Sequence, residues 1–198
     1  MVMPTRGSDG KIVFKLVYWG PSLGGKTTSV KWLHSNEGKL VQGNLQSITD
    51  PTGRTLFFDR LTAGVAGVKF QIWTVAGQKR HKYQRKVILQ GVDGIVFVWD
   101  SAADQLEENL WSLDELKEFL DGKIGTEIPF ILMLNKRDLP NAISKTEVRQ
   151  ILSRYGYGNT LIYETIAVTG ENVRRAFVQV CREAVLKYYT TLRKKDNS

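Results

Sequence analysis

A glycine-rich octet near the start of the chain constrains the fold more than any other feature of the sequence. Residues 20–27 read Gly-Pro-Ser-Leu-Gly-Gly-Lys-Thr, which matches the P-loop pattern G-x-x-x-x-G-K-[ST]. The octet follows Ile12–Trp19, an apolar run rich in β-branched and aromatic residues, and a helical stretch begins at Lys26. A buried strand, a glycine-rich turn and a helix start are the context in which this pattern binds phosphate.

The octet predicts a site for a nucleoside triphosphate. Glycines allow backbone N–H groups to turn inward around the phosphates, and the helix N-terminus adds partial positive charge at the same place. We expect Lys26 to bridge the outer phosphates as a catalytic point charge and the Thr27 hydroxyl to bind Mg²⁺. The predicted nucleotide contacts in this region are Gly20, Leu23, Gly24, Gly25, Lys26, Thr27 and Thr28. The octet alone does not identify the base.

A second motif predicts which base is bound. Asn135-Lys136-Arg137-Asp138 stands at the end of an apolar run. The Asp138 carboxylate can accept hydrogen bonds from N1–H and from the 2-amino group of guanine, whereas adenine offers no such pair of donors. A mismatched base would leave a buried carboxylate unpaired, which makes this contact a strong discriminator. We expect the stem of Lys136 to cover the ring face and Asn135 to connect this loop to the P-loop.

Apolar runs alternate with helical segments along the chain, which predicts a mostly parallel sheet covered by helices on both faces. Residues 54–61 and 68–75 are predicted to form a hairpin that adds one antiparallel strand. The predicted fold class is therefore α/β, a three-layer P-loop NTPase with a six-stranded sheet. The other predicted strands are 12–19, 94–100, 128–135 and 161–165, and the predicted helices are 26–34, 105–121, 144–155 and 172–192.

The chain is predicted to form one domain, residues 11–192, between a flexible N-terminus of residues 1–10 and a basic, flexible tail of residues 193–198. Residues 38–53 are polar and show no usable periodicity, so they are predicted to form a loop. A loop of this length inside a compact domain is usually functional or disordered.

Composition argues against several other classes of protein. No apolar run approaches the roughly 18 residues that a membrane-spanning helix needs, and neither end carries a secretory signal or a lipidation motif. The single cysteine, Cys181, indicates a reducing cytoplasm and a packing role in an apolar helix stripe. The net charge of +8 accompanies no nucleic-acid-binding signature. We therefore expect a solvated basic surface, no nucleic acid partner and at most transient contact with a membrane.

The two motifs and three further stretches resemble the Ras superfamily of small GTPases over residues 12–192, and within it the prokaryotic MglA-like branch. The likeness to that branch is carried by residues 20–28, 54–59 and 74–78. Residues 135–138 are shared by the whole superfamily, and residues 164–169 resemble its last base-contacting loop. The resemblance implies a Ras-like G domain that binds GTP or GDP with Mg²⁺. It also implies effector proteins at two switch segments and a GTPase-activating regulator of the MglB or roadblock-like type.

The resemblance implies catalytic roles in the two switches. Thr55 would bind Mg²⁺ and sense the γ-phosphate in the first switch, while Gln78, next to the nucleotide contact Gly77, would position the attacking water in the second. Arg54 would act as a built-in arginine finger, which is worth roughly 10³–10⁵ in rate. The alternative for Arg54 is a solvated charge at the start of an edge strand.

The last base-contacting loop and one magnesium position depart from the family pattern. The Ala167 backbone N–H would meet the guanine oxygen with Val168 beside it, but Ile166 and Val168 stand where Ser and Lys are usual. Thr74 stands where most members have an Asp that holds a magnesium-bound water. Asp59, on the neighbouring strand, is the candidate to supply that carboxylate.

A run of basic residues follows the second switch. A solvated face is the default explanation for such a run, and the alternative is a surface for an acidic partner. The residues are Lys79, Arg80, His81, Lys82, Arg85 and Lys86.

The motifs together with the resemblance predict a molecular switch that hydrolyses GTP. The resemblance implies a slow rate without a partner, on the order of 10⁻⁴–10⁻² s⁻¹, and a role in cell polarity or motility. The alternative from another class is a non-hydrolysing interaction protein stabilised by bound GTP. Thr74 favours this alternative, whereas the presence of Lys26, Thr55 and Gln78 disfavours it. A P-loop kinase for a small metabolite is a third hypothesis, but it leaves residues 135–138 without a purpose.

Overall fold

The computed structural model describes residues 4–38, 41–49, 55–65, 67–78, 81–120 and 122–196. Within these ranges only the backbone is described at 41–44, 46–49, 55–60, 65 and 195–196. The predicted arginine finger, Arg54, lies outside the described residues, as do Lys79 and Arg80. Thr55 and Asp59 are described by their backbone alone.

One mixed sheet lies at the centre of the protein, as the alternation of apolar runs predicted. Its strands are β1 (Thr5–Arg6), β2 (Ile12–Trp19), β3 (Val41–Thr49), β4 (Thr55–Val65), β5 (Val68–Thr74), β6 (Gly94–Asp100), β7 (Phe130–Asn135) and β8 (Leu161–Glu164). The order is β3–β4–β5–β2–β6–β7–β8, with β1 paired to β2. The neighbours from β5 to β8 are parallel, and β3, β4 and β5 pair antiparallel.

Two strands were not predicted, so the described residues form eight strands where the sequence indicated six. β3 lies inside the segment predicted to be a loop, and its residue Val41 pairs with Ala63 of β4. The polar sequence of β3 carries no strand pattern, so local propensity did not predict it. The strand forms because its backbone pairs with β4. β1 lies in the segment predicted to be flexible, and it pairs antiparallel with the start of β2.

Helices pack against both faces of the sheet. In the described part of the chain they are α1 (Lys26–Asn36), α2 (Lys82–Ile88), α3 (Leu106–Leu120), α4 (Lys145–Arg154) and α5 (Val173–Asp196), with a 3₁₀ turn at Ala103–Gln105. The predicted helices at α1, α3 and α4 are confirmed, and α5 continues past the predicted end at residue 192. α2 was not predicted, because a helix of seven residues is too short to show a readable period. No helix among the described residues has the length and apolarity needed to cross a bilayer.

The two faces of the sheet bury separate hydrophobic clusters. Leu16 and Tyr18 of β2 belong to the cluster beneath α1 and α5, whereas Val17 and Trp19 belong to the cluster beneath α2, α3 and α4. Alternate residues of a strand point to opposite faces, so a strand covered on both sides has a continuous apolar sequence. Cys181 lies in the first cluster, which confirms its packing role, and burial raises the pKa of its thiol.

The parallel strands bring their carboxyl ends to one edge of the sheet. β2 ends next to Gly20, and the register of β6 with β7 places Asp100 opposite Asn135. β7 pairs in turn with β8, which ends at Glu164. Ligands of open parallel sheets bind at this edge, and both predicted binding motifs follow strands that end there.

Asp93, which lies just before β6, has a mostly buried carboxylate, with 9% of its surface exposed. It accepts a hydrogen bond from the Lys15 backbone N–H at 2.8 Å. Burial raises the pKa of this carboxyl to about 6, against the smaller lowering effects of the Lys15 hydrogen bond and charge. The folded pKa therefore lies above the unfolded value of about 3.9. The folded state therefore binds this proton more tightly than the unfolded state does. The stabilisation that results is fully present below the unfolded pKa and is lost as the pH rises through about 6.

Replacing Asp93 with Asn is expected to remove this part of the pH dependence, because the Asn oxygen can accept the Lys15 hydrogen bond but cannot ionise. As the pH rises from 4 to 7, the free energy of unfolding of the wild type should fall relative to that of the variant, by on the order of 1–3 kcal/mol. Urea unfolding at a series of pH values measures the difference, with Asp104→Asn, which removes an exposed carboxylate, as the control. A difference independent of pH would contradict the assignment.

Candidate functional site

Two glycines of the P-loop lie where no larger residue fits. Gly20 has a φ of 141°, and a Cβ there would lie 2.2 Å from the Val98 carbonyl oxygen. Gly25, the N-cap of α1, has a φ of 104°, and a Cβ there would lie 2.1 Å from the amide nitrogen of Asn135. Both positions need the left-handed backbone region and close approach to a neighbouring chain segment. The P-loop is therefore shaped by contact with β6 and with the end of β7.

Lys26 lies inside the loop that it was predicted to serve. Its side chain is buried, with 5% of the residue exposed, and its ammonium donates to the carbonyls of Gly20 at 3.0 Å and Pro21 at 2.5 Å. These carbonyls hold the ammonium against the turn at the N-terminus of α1. Phosphate oxygens placed there could take over the same donors, because an ammonium group has three rotatable N–H bonds.

Asn135, at the end of β7, connects its own loop to the P-loop and to the loop after β8. The predicted link to the P-loop is formed. Its Nδ2 donates to the Gly24 carbonyl at 2.9 Å. Its Oδ1 accepts from the Thr165 hydroxyl at 3.2 Å and from the Ala167 backbone N–H at 2.9 Å. The Ala167 N–H that was predicted to meet the base is thus engaged with Asn135, and contact with a guanine oxygen would have to share it.

Lys136 is held by an acid that the sequence analysis missed. Its ammonium lies 2.6 Å from Oδ2 of Asp100, the buried last residue of β6. The other carboxylate oxygen of Asp100 accepts from the Ala102 backbone N–H at 3.1 Å, and the Asp100 backbone exchanges two hydrogen bonds with the Asn109 side chain. The sequence signal that could have identified Asp100 is an acidic residue at the end of an apolar run. In the parallel register of β6 with β7, the end of that run lies beside Asn135.

The P-loop and both predicted base loops enclose one pocket of about 180 Å³. Eight of the predicted nucleotide contacts therefore lie together, joined by Leu139 and Ile166. Asp138 is exposed at this pocket, so a bound base would have to cover its carboxylate. The lining residues are Leu23, Gly25, Thr28, Asn135, Lys136, Asp138, Leu139, Ile166, Ala167 and Val168.

The segment after β5 lies against the P-loop. A Cβ on Gly77 would lie 2.4 Å from the Ser22 backbone nitrogen, so this glycine is in direct contact with the loop. Gln78 follows it in the chain and is partly buried. The structure thus places Gly77 against the predicted phosphate loop.

The residues predicted to bind or support Mg²⁺ are only partly described. Thr27 lies in the first turn of α1, and Thr74 at the end of β5 is fully buried. Arg60 of β4 pairs with Trp73 of β5, so Asp59 and Thr74 are the next residues along the two strands. Among the described residues no group of three His, Cys, Asp or Glu side chains could hold a metal ion.

The basic run after the second switch is not uniformly solvated. Arg85 and His81 are buried, and Lys82 forms an exposed ion pair with Glu118 of α3 at 2.9 Å. Arg85 forms a buried ion pair with Glu115, also on α3. Sequence reasoning missed this pair because helices α2 and α3 meet only in the folded chain.

Comparison with known proteins gives matches over most of the chain. The model of the ADP-ribosylation factor family matches residues 7–184. The chain is 39% identical over 173 residues to the mutual gliding-motility protein MglA of Myxococcus xanthus (strain DK1622), covering 84% of this chain and 87% of that protein. It is 27% identical over 188 residues to ADP-ribosylation factor-like protein 6 of Caenorhabditis elegans, covering 93% of each.

A solved structure has the same fold. The Arl6 BBS3 small GTPase of Trypanosoma brucei, with the bound nucleotide analogue GppNp, matches with a TM-score of 0.67 over 88% of this chain and 99% of that chain. The sequence identity is 22%, so this likeness shows the fold alone. It confirms the predicted α/β fold class.

Replacing Asn135 with Ala is expected to weaken nucleotide binding and to destabilise the fold. The change removes three buried hydrogen bonds, each worth about 1 kcal/mol, and frees the P-loop from the loop after β8. The free energy of unfolding should fall by roughly 2–4 kcal/mol, measured in urea, and titration should show weaker guanine nucleotide affinity.

The matched control for this change is Asn159→Ala, which alters an exposed asparagine just before β8. This residue lies at the amino end of the strand, whereas the site lies at the carboxyl ends. The substitution should change neither quantity beyond about 0.5 kcal/mol. Equal effects of the two substitutions on nucleotide affinity would show that Asn135 does not organise the site.

Proposed function

The chain belongs to the ADP-ribosylation factor family within the Ras superfamily of small GTPases, and on that premise we propose that it is a molecular switch that hydrolyses GTP slowly. The observation that carries the proposal is the Asn135 side chain, which joins the P-loop to the two loops that would hold the base. Phosphates on a helix N-terminus and a base in the adjoining pocket form one continuous binding site.

Guanine is the base that the pocket suits best. The Asp138 carboxylate would accept the N1–H and 2-amino donors, and bringing the base over this exposed side chain would exclude water from both bonds. Lys136 would lie along the ring with its ammonium held by Asp100. This arrangement explains why a loop with an acid and a lysine stands at the end of β7.

Magnesium fits the oxygen donors that the chain offers. Mg²⁺ is commonly held by one or two protein oxygens together with phosphates and waters, and the Thr27 and Thr55 hydroxyls would be the protein ligands. Bound Mg²⁺ would neutralise charge on the outer phosphates. The backbone register of β4 with β5 supports Asp59 as the acid that replaces the one missing at Thr74.

Hydrolysis would depend on three side chains placed around the outer phosphate. Lys26 would stabilise its charge, Gln78 would orient the attacking water, and Arg54 would stabilise the charge that develops in the transition state. Loss of the outer phosphate would release Thr55 and Gly77. The segments that contain them would then change conformation and report the nucleotide state.

Partner proteins would read that state at the two switch segments. We expect effectors there and a GTPase-activating regulator of the MglB or roadblock-like type, acting in the cytoplasm. The relative MglA is described as a mutual gliding-motility protein, and we propose a related role in cell polarity or motility for this chain.

Replacing Asp138 with Asn is expected to change the base preference. An amide can accept from N1–H, but its NH₂ group opposes the 2-amino group of guanine and matches the 2-oxygen of xanthine. Affinity for GDP should fall by roughly 10–10²-fold, the loss typical of a charge-assisted hydrogen bond, while affinity for xanthosine diphosphate rises. Competition titrations measure both, and unchanged GDP affinity would refute the assigned base contact.

Single-turnover hydrolysis of bound GTP with Mg²⁺ tests the catalytic residues. Arg54→Ala should slow the reaction by roughly 10³-fold if the finger acts within the chain, and Gln78→Leu by roughly 10²-fold. Gln90→Leu, at an exposed position before β6, is the control and should be without effect. Absence of hydrolysis by the wild type, even with cell extract, would replace this proposal with a GTP-stabilised interaction module.

A further inference from the structure

Arg85 and Glu115 form a buried ion pair beneath the second switch. Nε and Nη2 of Arg85 donate to the two carboxylate oxygens of Glu115, each at 2.6 Å. Only 2% and 4% of the two side chains are exposed. Glu115 lies on α3 and Arg85 on α2, so the pair fixes the distance between these two helices.

The remaining guanidinium nitrogen of Arg85 binds the backbone next to the proposed catalytic glutamine. Nη1 donates to the Ala76 carbonyl at 3.1 Å and also to the Gln78 carbonyl. The Gln78 carbonyl accepts a further hydrogen bond from the His81 backbone N–H at 3.1 Å. The carbonyls on both sides of Gly77 are therefore held by one side chain.

Aromatic rings surround the same guanidinium group. Its carbon lies 5.1 Å from the centroid of the Trp111 ring and 6.0 Å from that of the Trp19 ring. Trp19 is the residue before Gly20 of the P-loop, and its Nε1 donates to the Ser112 carbonyl of α3 at 2.8 Å. Cations are attracted to aromatic faces at these distances. Arg85 is thus placed between the P-loop strand, α3 and the second switch.

The geometry is specific to arginine. At least four of its five N–H donors are engaged, two on a carboxylate and two on carbonyls that face a different direction. A lysine ammonium has three donors on one atom and cannot span these positions at once. Buried ion pairs are weak evidence for stability, because desolvation offsets their attraction. The arrangement is better explained by the backbone that it holds than by a gain in stability.

We propose that Arg85, oriented by Glu115, is a positioning residue that holds the Ala76–Gln78 backbone and thereby sets the orientation of Gln78 for hydrolysis. The proposal rests on the proposed function for its catalytic consequence. It does not require Arg85 to touch the nucleotide. The segment would be held from the side of α3, which packs on the sheet.

Arg85→Lys and Glu115→Gln test the proposal, and the matched control is Glu118→Gln. Glu118 lies on the same helix as Glu115 and pairs with Lys82 of α2, but this pair is exposed and makes no contact with the Ala76–Gln78 carbonyls. Three quantities are measured for each full-length variant. They are amide hydrogen exchange of residues 76–81 in the GDP-bound protein, the affinity for GDP, and the single-turnover rate of GTP hydrolysis.

Arg85→Lys and Glu115→Gln are expected to speed amide exchange in the segment by at least about tenfold. Hydrolysis should slow by roughly 10–10²-fold, the size expected when a reacting group is misplaced by about 1 Å. GDP affinity should stay within about threefold, because the residues in contact with the nucleotide are retained. Glu118→Gln should leave all three quantities unchanged.

A double-mutant cycle with Gln78→Leu separates positioning from a general structural role. If Arg85 acts through Gln78, Arg85→Lys should slow hydrolysis in the wild-type background and add nothing in the Gln78→Leu background. Equal slowing in both backgrounds, or a parallel loss of GDP affinity and rate, would overturn the proposal. Unchanged amide exchange of residues 76–81 in Arg85→Lys would also overturn the proposal.

Failure of the proposed function is distinguishable from failure of this inference. A wild-type protein that does not hydrolyse GTP contradicts the first, whereas the exchange measurement on the GDP-bound protein does not depend on hydrolysis. Faster exchange in Arg85→Lys and Glu115→Gln would then still support the hold on the Ala76–Gln78 backbone. Unchanged exchange would refute it in either case.

Discussion

The side chain of Asn135 joins the end of β7 to two other segments that are far apart in the sequence, and the rest of the site is arranged around it. Its amide reaches the Gly24 carbonyl of the P-loop, while its oxygen holds Thr165 and Ala167. Gly25 must lack a Cβ because the same amide occupies that space. The phosphate loop and the base loops therefore have a fixed separation, which is what recognition of one extended ligand requires.

The two sides of the site are built differently. On the base side, parallel strands β6, β7 and β8 end at one edge, and Asp100, buried at the end of β6, holds Lys136. On the phosphate side, the strands pair antiparallel: Thr55, proposed to sense the outer phosphate, begins β4, and Gly77 follows the end of β5. Gly77 lies against the P-loop, and Arg85 connects its neighbours to α3. The base side is thus fixed by the ends of parallel strands, whereas the phosphate side is fixed by contacts of the segment after β5 with the P-loop and, through Arg85, with α3.

Sequence reasoning succeeded where a local pattern carries the physics. β2 was predicted to the residue, because a strand buried on both faces has a continuous apolar sequence. The predicted helix at α4 is confirmed, and Ser144 and Glu147 form a capping box at its start, a contact between residues three apart in the chain. β3 and α2 were missed, since one depends on pairing with β4 and the other is only seven residues long. Within the site, the ion pairs of Asp100 with Lys136 and of Arg85 with Glu115 were missed because the partners are distant in the chain.

The sequence by itself determined the P-loop, the base motif, the α/β fold class and the family resemblance. Each of these depends on residue types at fixed short spacing, which sterics and hydrogen bonding constrain locally. Only the tertiary structure decided which acid holds Lys136, that Ala167 donates to Asn135, and that Arg85 is buried against Glu115. These contacts join elements 30 or more residues apart. Their geometry is set by strand register and helix packing, which no local pattern encodes.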